Sequence, residues 1–115
     1  VDILYRGAVV LGSQTLSKTT TANPMADVGV LAVDVLRTKY LTFSATDNTL
    51  SVQILGSQDG GLTYPTTVEA AFDVTTGAQV LKTNTTFYTH LKVQVAPKVG
   101  GSHGTLTVRF KGSSY

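Results

Sequence analysis

The sequence contains no cysteine and no tryptophan, and only one methionine and three prolines. Without cysteine there is neither a disulfide nor a thiolate metal site, so stability must come from a core or from assembly, and nothing marks the redox compartment. Charged residues are also scarce, at 14%, and acids are fewest: six Asp and Glu69. A glycosidase needs two carboxylates facing across a cleft, and Glu69 is the one candidate acid. The two histidines, His90 and His103, have no zinc-ligand spacing. Asp47, Asn48 and Asp59 are the oxygen ligands available to calcium, but no D-x-D-x-D run gathers them. No nucleophile elbow supports a Ser-His-Asp arrangement. The nine Lys and Arg are scattered from Arg6 to Lys111 without a basic run, which argues against nucleic acid despite a formal charge of +2. Apolar runs fall far short of the roughly 18 residues of a membrane span. These absences lead us to expect no enzyme, no metal, no cofactor, no nucleic acid and no membrane.

What is present is a β composition. Thr and Val dominate outside the turns, and both favour a half-buried pleated surface over a helix. At 115 residues the chain is sized for one domain, with no linker dividing it. It begins at Val1 rather than Met, which points to processing or trimming. Residues 1–12 read as an amino-terminal arm or edge strand, stopped at Gly12-Ser13. Its Ile3, Leu4, Tyr5, Val9, Val10 and Leu11 are apolar on both faces and are the candidate subunit interface; the alternative is a strand tucked into its own sandwich. Gln14 to Ala22 is a Thr-rich exposed strand, and Asn23-Pro24 is a turn. Val28 to Leu36 is readable as strand or as a helical turn. Arg37-Thr38-Lys39 is a polar break.

From there the alternation is strong. Leu41, Phe43 and Ala45 face inward on one strand, Leu50, Val52 and Ile54 on the next, and Val68, Ala70, Phe72 and Val74 on a third. These three are expected to form a consecutive meander. A short strand runs from Gln79 to Lys82. Phe87, Leu91, Val93 and Val95 then face inward, opposite Tyr88, His90, Lys92 and Gln94. A closing hairpin returns through Lys98 to Gly104, with Leu106, Val108 and Phe110 inward. The whole predicts an antiparallel β-sandwich of jelly-roll or Greek-key type with about seven or eight strands.

The stretch Ser57-Gln58-Asp59-Gly60-Gly61-Leu62-Thr63-Tyr64 joins two of these strands. Asp59 can accept from the backbone N–H groups that follow it, and Gly60 and Gly61 permit positive φ. Its pattern, S-x-D-x-G-x-T-aromatic, resembles the Asp-box hairpin of sialidases and many unrelated β proteins. Tyr64 stands where that pattern carries Trp or Phe, and the motif occurs once. Ser57, Asp59, Gly60, Gly61, Thr63 and Tyr64 are therefore read as a structural turn.

The wider pattern, a Thr-rich strand from Thr15 to Thr21, then Leu41 to Ala45, Leu50 to Tyr64 with its Gly56-Ser57-Gln58-Asp59-Gly60-Gly61, and Leu91 to Phe110, resembles small β-sandwich virion proteins of tailed bacteriophages. The resemblance implies a non-enzymatic capsid decoration protein, or else a tail component, that binds the major capsid protein or other virion neighbours. A low-charge, Thr-rich surface suits a protein whose work is contact. A symmetric homo-oligomer, a trimer being the candidate, is expected in the virion. The alternative is an extracellular carbohydrate-binding module, with Tyr40, Tyr64 and Tyr88 as a stacking platform.

Overall fold

The computed structural model describes residues 10–20, 25–34, 36–98 and 103–113. These hold eight strands and no helix: β1 (Val10–Thr20), β2 (Ala26–Ala32), β3 (Thr38–Thr46), β4 (Leu50–Ser57), β5 (Thr66–Val74), β6 (Gln79–Asn84), β7 (His90–Pro97) and β8 (Gly104–Ser113). They form two four-stranded sheets, in the orders β1-β8-β3-β6 and β2-β7-β4-β5, with every pairing antiparallel. The expected β-sandwich is found, and the strand order is that of a jelly roll.

The period-2 alternation works as read for most inward rows. Leu41, Phe43 and Ala45 of β3 and Leu106, Val108 and Phe110 of β8 are buried from one sheet; Leu50, Val52 and Ile54 of β4 and Leu91, Val93 and Val95 of β7 are buried from the other. Each fully buried Leu, Ile, Val or Phe contributes about 1.5–3 kcal/mol. Phe43 and Phe72 meet edge to face across the two sheets, 5.1 Å between centroids at 75°. Leu16 of β1 packs over Gly29 of β2, where a methyl would come within 3.1 Å of it.

Connectivity departs from the expected meander. β3 lies in one sheet and β4 in the other, so only β4 and β5 form a hairpin among β3, β4 and β5. β7 and β8 likewise sit in opposite sheets, and the segment between them is a crossing rather than a hairpin loop. Inward alternation is identical in the two cases, because a strand that crosses over still presents the same row to the same core.

Local readings differ for physical reasons too. β1 runs through Gly12 and Ser13 instead of stopping, with a register irregularity between Val10 and Gly12. Val10 and Leu11 begin β1, while residues 1–9 and the Asn23-Pro24 turn lie outside the described residues. The ambiguous Val28–Leu36 segment resolves as strand through Ala32, β-branched Val outweighing the helical spacing. Ala70 is exposed rather than inward: Val52 pairs with Phe72 and Ile54 with Glu69, so β5 carries an extra residue there and its alternation slips. Thr38 and Lys39 belong to β3, and Lys39 is fully buried. Finally, Phe87 and Tyr88 exchange places. Residues 87–89 precede β7 without strand geometry, and Tyr88 turns into the core while Phe87 is exposed.

Tyr88 reaches inward because Gly56, the penultimate residue of β4, has no side chain to exclude its ring. A methyl at that position would lie 2.5 Å from the Tyr88 ring and 2.8 Å from Val68. Gly56→Ala should therefore destabilise the fold by about 1–3 kcal/mol through overpacking, read as a lower urea midpoint with an unchanged slope.

Candidate functional site

The Asp59 turn is built almost wholly from its own short-range bonds. Ser57 Oγ donates to Asp59 Oδ1 at 2.6 Å and accepts from the N–H groups of Asp59 and Gly61. Asp59 Oδ1 also accepts from the N–H groups of Leu62 and Thr63. Asp59 Oδ2 accepts from Thr63 Oγ1 at 2.5 Å. Gly60 and Gly61 have φ of 81° and 89°, which glycine adopts without the steric cost other residues carry. The hydrogen bonds from Ser57, then those from Thr63, hold the Asp59 carboxyl well below the usual carboxylate range. Both carboxylate oxygens are thus engaged within the turn.

The turn is also tied to the chain entering β7. Thr89 N–H donates to Ser57 O at 2.8 Å, Thr89 Oγ1 donates to the same oxygen at 3.1 Å, and Gly60 N–H donates to Thr89 Oγ1. Gln58 Nε2 donates to Phe87 O. Leu62, 84% exposed, and Phe87, 56% exposed, are the large apolar side chains left in solvent at this end of the sandwich.

The same end holds Lys39. Its Nζ donates to Thr86 O at 2.5 Å and lies 5.8 Å from the centre of the Tyr88 ring; no carboxylate among the described residues pairs with it. Burial pushes its pKa below the ordinary lysine value. Asn84, its register partner on β6, keeps a buried Oδ1 without a hydrogen bond. Close by, a cleft of about 240 Å³ is lined by Asp34, Leu36, Arg37, Thr85 and Phe87.

The two outer faces differ. On the face of β1, β8, β3 and β6, Thr15, Ser17, Thr19, Thr105, Thr107, Thr42 and Ser44 make hydroxyl rows, with Arg109, Lys111, Tyr40 and Leu81 among them. Thr19 and Thr105 bond to each other at 2.8 Å. On the other face a polar chain runs from Gln53 to Gln94 to Asp27 to Lys92, whose Nζ sits 4.4 Å from the centre of the Tyr64 ring.

The residues singled out from sequence are only partly brought together. Ser57, Asp59, Gly60, Gly61 and Thr63 form one turn, and Tyr64 stands beside it: a methyl on Gly61 would be 3.3 Å from Tyr64 Oη. The three tyrosines do not form a platform, since Tyr88 is buried and Tyr40 and Tyr64 belong to opposite faces. Asp47 and Asn48 precede β4 and Asp59 follows it, so these oxygens lie at opposite ends of the strand. His103 pairs with Asp47 at 3.5 Å, away from His90 beside the Asp59 turn. No group of three or more His, Asp or Glu residues among the described residues is placed to hold a metal ion. Sequence reading missed Lys39 and the cleft. A lysine two residues before Leu41, in step with the inward row, was the available signal.

No protein-family model matches the chain, and no curated protein does. Among solved structures, it is similar over 100% of its length to a chain of the Bacillus endospore appendages, described as a novel family of disulfide-linked pili. That match covers 98% of the appendage chain, with a TM-score of 0.54 and 16% identity. A second structure, IMPa from Pseudomonas aeruginosa in complex with an O-glycopeptide, matches at 20% identity over 91% of this chain and 13% of that one, with a TM-score of 0.40. The first likeness is one of fold; the second is too low to carry an argument.

Two outcomes test the buried and exposed ends of this site. In the window between its lowered folded pKa and about 10.4, Lys39 binds more proton in the unfolded chain, so its burial penalty fades as pH rises. Lys39→Met should be about 1 kcal/mol more stable than the wild type at pH 7, with the gap closing toward pH 10 in denaturant titrations. For the turn, Asp59→Ala should speed amide exchange at Leu62 and Thr63 by roughly tenfold or more while the β4 ladder is little changed. Because the Asp59 carboxyl titrates below its ordinary value, the wild-type turn should also keep these protections at pH values where a free aspartate is protonated.

Proposed function

We propose that this protein is a non-enzymatic structural subunit that acts by assembling, with copies of itself and with other components of a larger particle. The observation that carries the reading is the edge strand β1. From Gly12 to Thr20 it pairs with β8 in unbroken register on one side, and among the described residues no strand covers its other side. The other three edges are less suited to pairing. β2 and β5 are interrupted by register shifts, and β6 is six residues long with Lys82 held by Glu69. An open, regular edge offers a row of backbone donors and acceptors that a further strand can complete. Lys18, whose register partner is the inward Leu106, limits that pairing to the half of β1 running from Gly12 to Ser17.

The surroundings support contact rather than chemistry. The hydroxyl-rich face next to β1 carries few charges to desolvate, and the most constrained carboxylate, Asp59, is consumed by its own turn. The fold is shared along its length with a chain of a pilus, which supports self-assembly in this protein as well. Those pili are disulfide-linked; the present 115 residues contain no cysteine, so contacts here would be non-covalent. A phage particle is the setting the sequence pattern favours, as capsid decoration or tail component. The carbohydrate alternative lost its platform when Tyr88 went into the core.

Light scattering over a concentration series tests this. The wild type should exceed the 12.1 kDa of one chain, and Thr15→Lys with Ser17→Lys should bring the mass down toward that value with the circular dichroism melt shifted by no more than a few degrees. A wild type that stays at one chain's mass throughout counts against self-assembly. A double variant that assembles as well as the wild type counts against the β1 edge.

A further inference from the structure

The two sheets end in four edge strands, β1 and β6 in one and β2 and β5 in the other, and these differ in what they offer a second copy of the chain. β2 shifts register between Asp27 and Gly29, and β5 shifts twice along its pairing with β4. Both carry acids within the strand, Asp27 in β2 and Glu69 and Asp73 in β5. β6 is short, and its Lys82 is drawn to Glu69 at 3.4 Å. From Gly12 to Ser17, by contrast, β1 holds no charged residue and no irregularity. Leu16 also stands on the inward row of β1 only partly buried, while its register partner Val108 is fully buried. The edge leaves apolar area that a further strand can cover.

If copies assemble by backbone pairing, then among the described residues the one edge regular enough to meet β1 is β1 of another copy. Resting on the assembly reading above, we propose that β1 pairs with its own counterpart, antiparallel about a twofold axis, so that pairing through this edge closes at two chains.

The register follows from the same residues. Directly opposite residues of an antiparallel pair share a face, so the axis falls on a residue and not between two. On Thr15, the ladder runs from Gly12 to Lys18. Thr15 then faces Thr15, Gln14 of each copy faces Leu16 of the other, and Lys18 faces a glycine, Gly12. An axis on Gln14 carries the ladder past Gly12 into the irregularity at Val10, and one on Leu16 brings Lys18 opposite Gln14, inside the ladder. The threonine pair has a counterpart within the chain. Thr19 and Thr105 are register partners on the same face as Thr15, and their hydroxyls bond at 2.8 Å. Joined in this way, the two β1 strands become the middle of one eight-stranded sheet. The regular edge of each copy is then consumed, so this contact forms neither a threefold ring nor a filament, and a larger particle grows through other surfaces.

The absence of cysteine makes single-cysteine variants direct reporters. In Thr15→Cys the two Cα atoms lie across the axis at about 4.5–5.5 Å, within disulfide range. In Thr19→Cys they are roughly 26 Å apart along the ladder. Mild oxidation should therefore link Thr15→Cys into a two-chain species on a non-reducing gel at least tenfold faster than Thr19→Cys. Both positions are exposed, so the circular dichroism of each reduced variant should match the wild type. Light scattering of the wild type over a concentration series should level off at twice the 12.1 kDa of one chain. A plateau at three chains, or a mass that keeps rising, overturns the twofold pair and leaves self-assembly standing. A mass that stays at one chain overturns both. Thr19→Cys linking as fast as Thr15→Cys overturns the pair as well, since the copies then meet elsewhere.

Discussion

The strands β3, β4, β7 and β8 each have one apolar row, and each row is buried against the facing sheet. With no cysteine in the chain, no disulfide relieves that requirement. Ordering the backbone costs about 1–2 kcal/mol per residue, so paired strands without the second layer would not hold. The chain meets the constraint by crossing between sheets at every connection except β4 to β5. Consecutive strands are thereby set on opposite walls of one core, and the aromatic contact of Phe43 with Phe72 joins the walls directly.

That arrangement explains what could be read from residues alone. Alternation reports which side chains point inward, and it gave the rows of β3, β4, β7 and β8 as far as the strands extend. It is silent about which sheet a strand joins, because the inward row is the same in a meander and in a crossing. The meander and the closing hairpin failed for that reason. Where strand geometry stops, alternation misleads, and Phe87 and Tyr88 exchanged faces there. Lys39 was hidden by its charge: the expectation that lysine marks a break outweighed its place in step with Leu41. The Asp59 turn, by contrast, is local: Asp59 accepts from the N–H groups that follow it, Gly60 and Gly61 take positive φ, and its donors and acceptors lie within four residues of one another.

The turn nonetheless does more than reverse the chain. Through Thr89 it fixes the entry to β7, and through Gln58 it holds the carbonyl of Phe87. With Gly56 receiving the Tyr88 ring, this sets one residue inward and its neighbour outward. A hairpin motif that spends its carboxylate locally thus determines the shape of a cleft formed by other segments.

Lys39 shows why that end of the molecule differs from the rest. A buried ammonium with one carbonyl acceptor and a tyrosine ring nearby is poorly compensated, and an apolar side chain would fill the place at lower cost. The faces and the β1 edge carry no such penalty; their polar groups are exposed or paired along regular ladders. The end, then, is where the sandwich closes least well, and the edge is where it closes most regularly. Assembly through backbone pairing needs regularity, which the open side of β1 from Gly12 to Ser17 supplies.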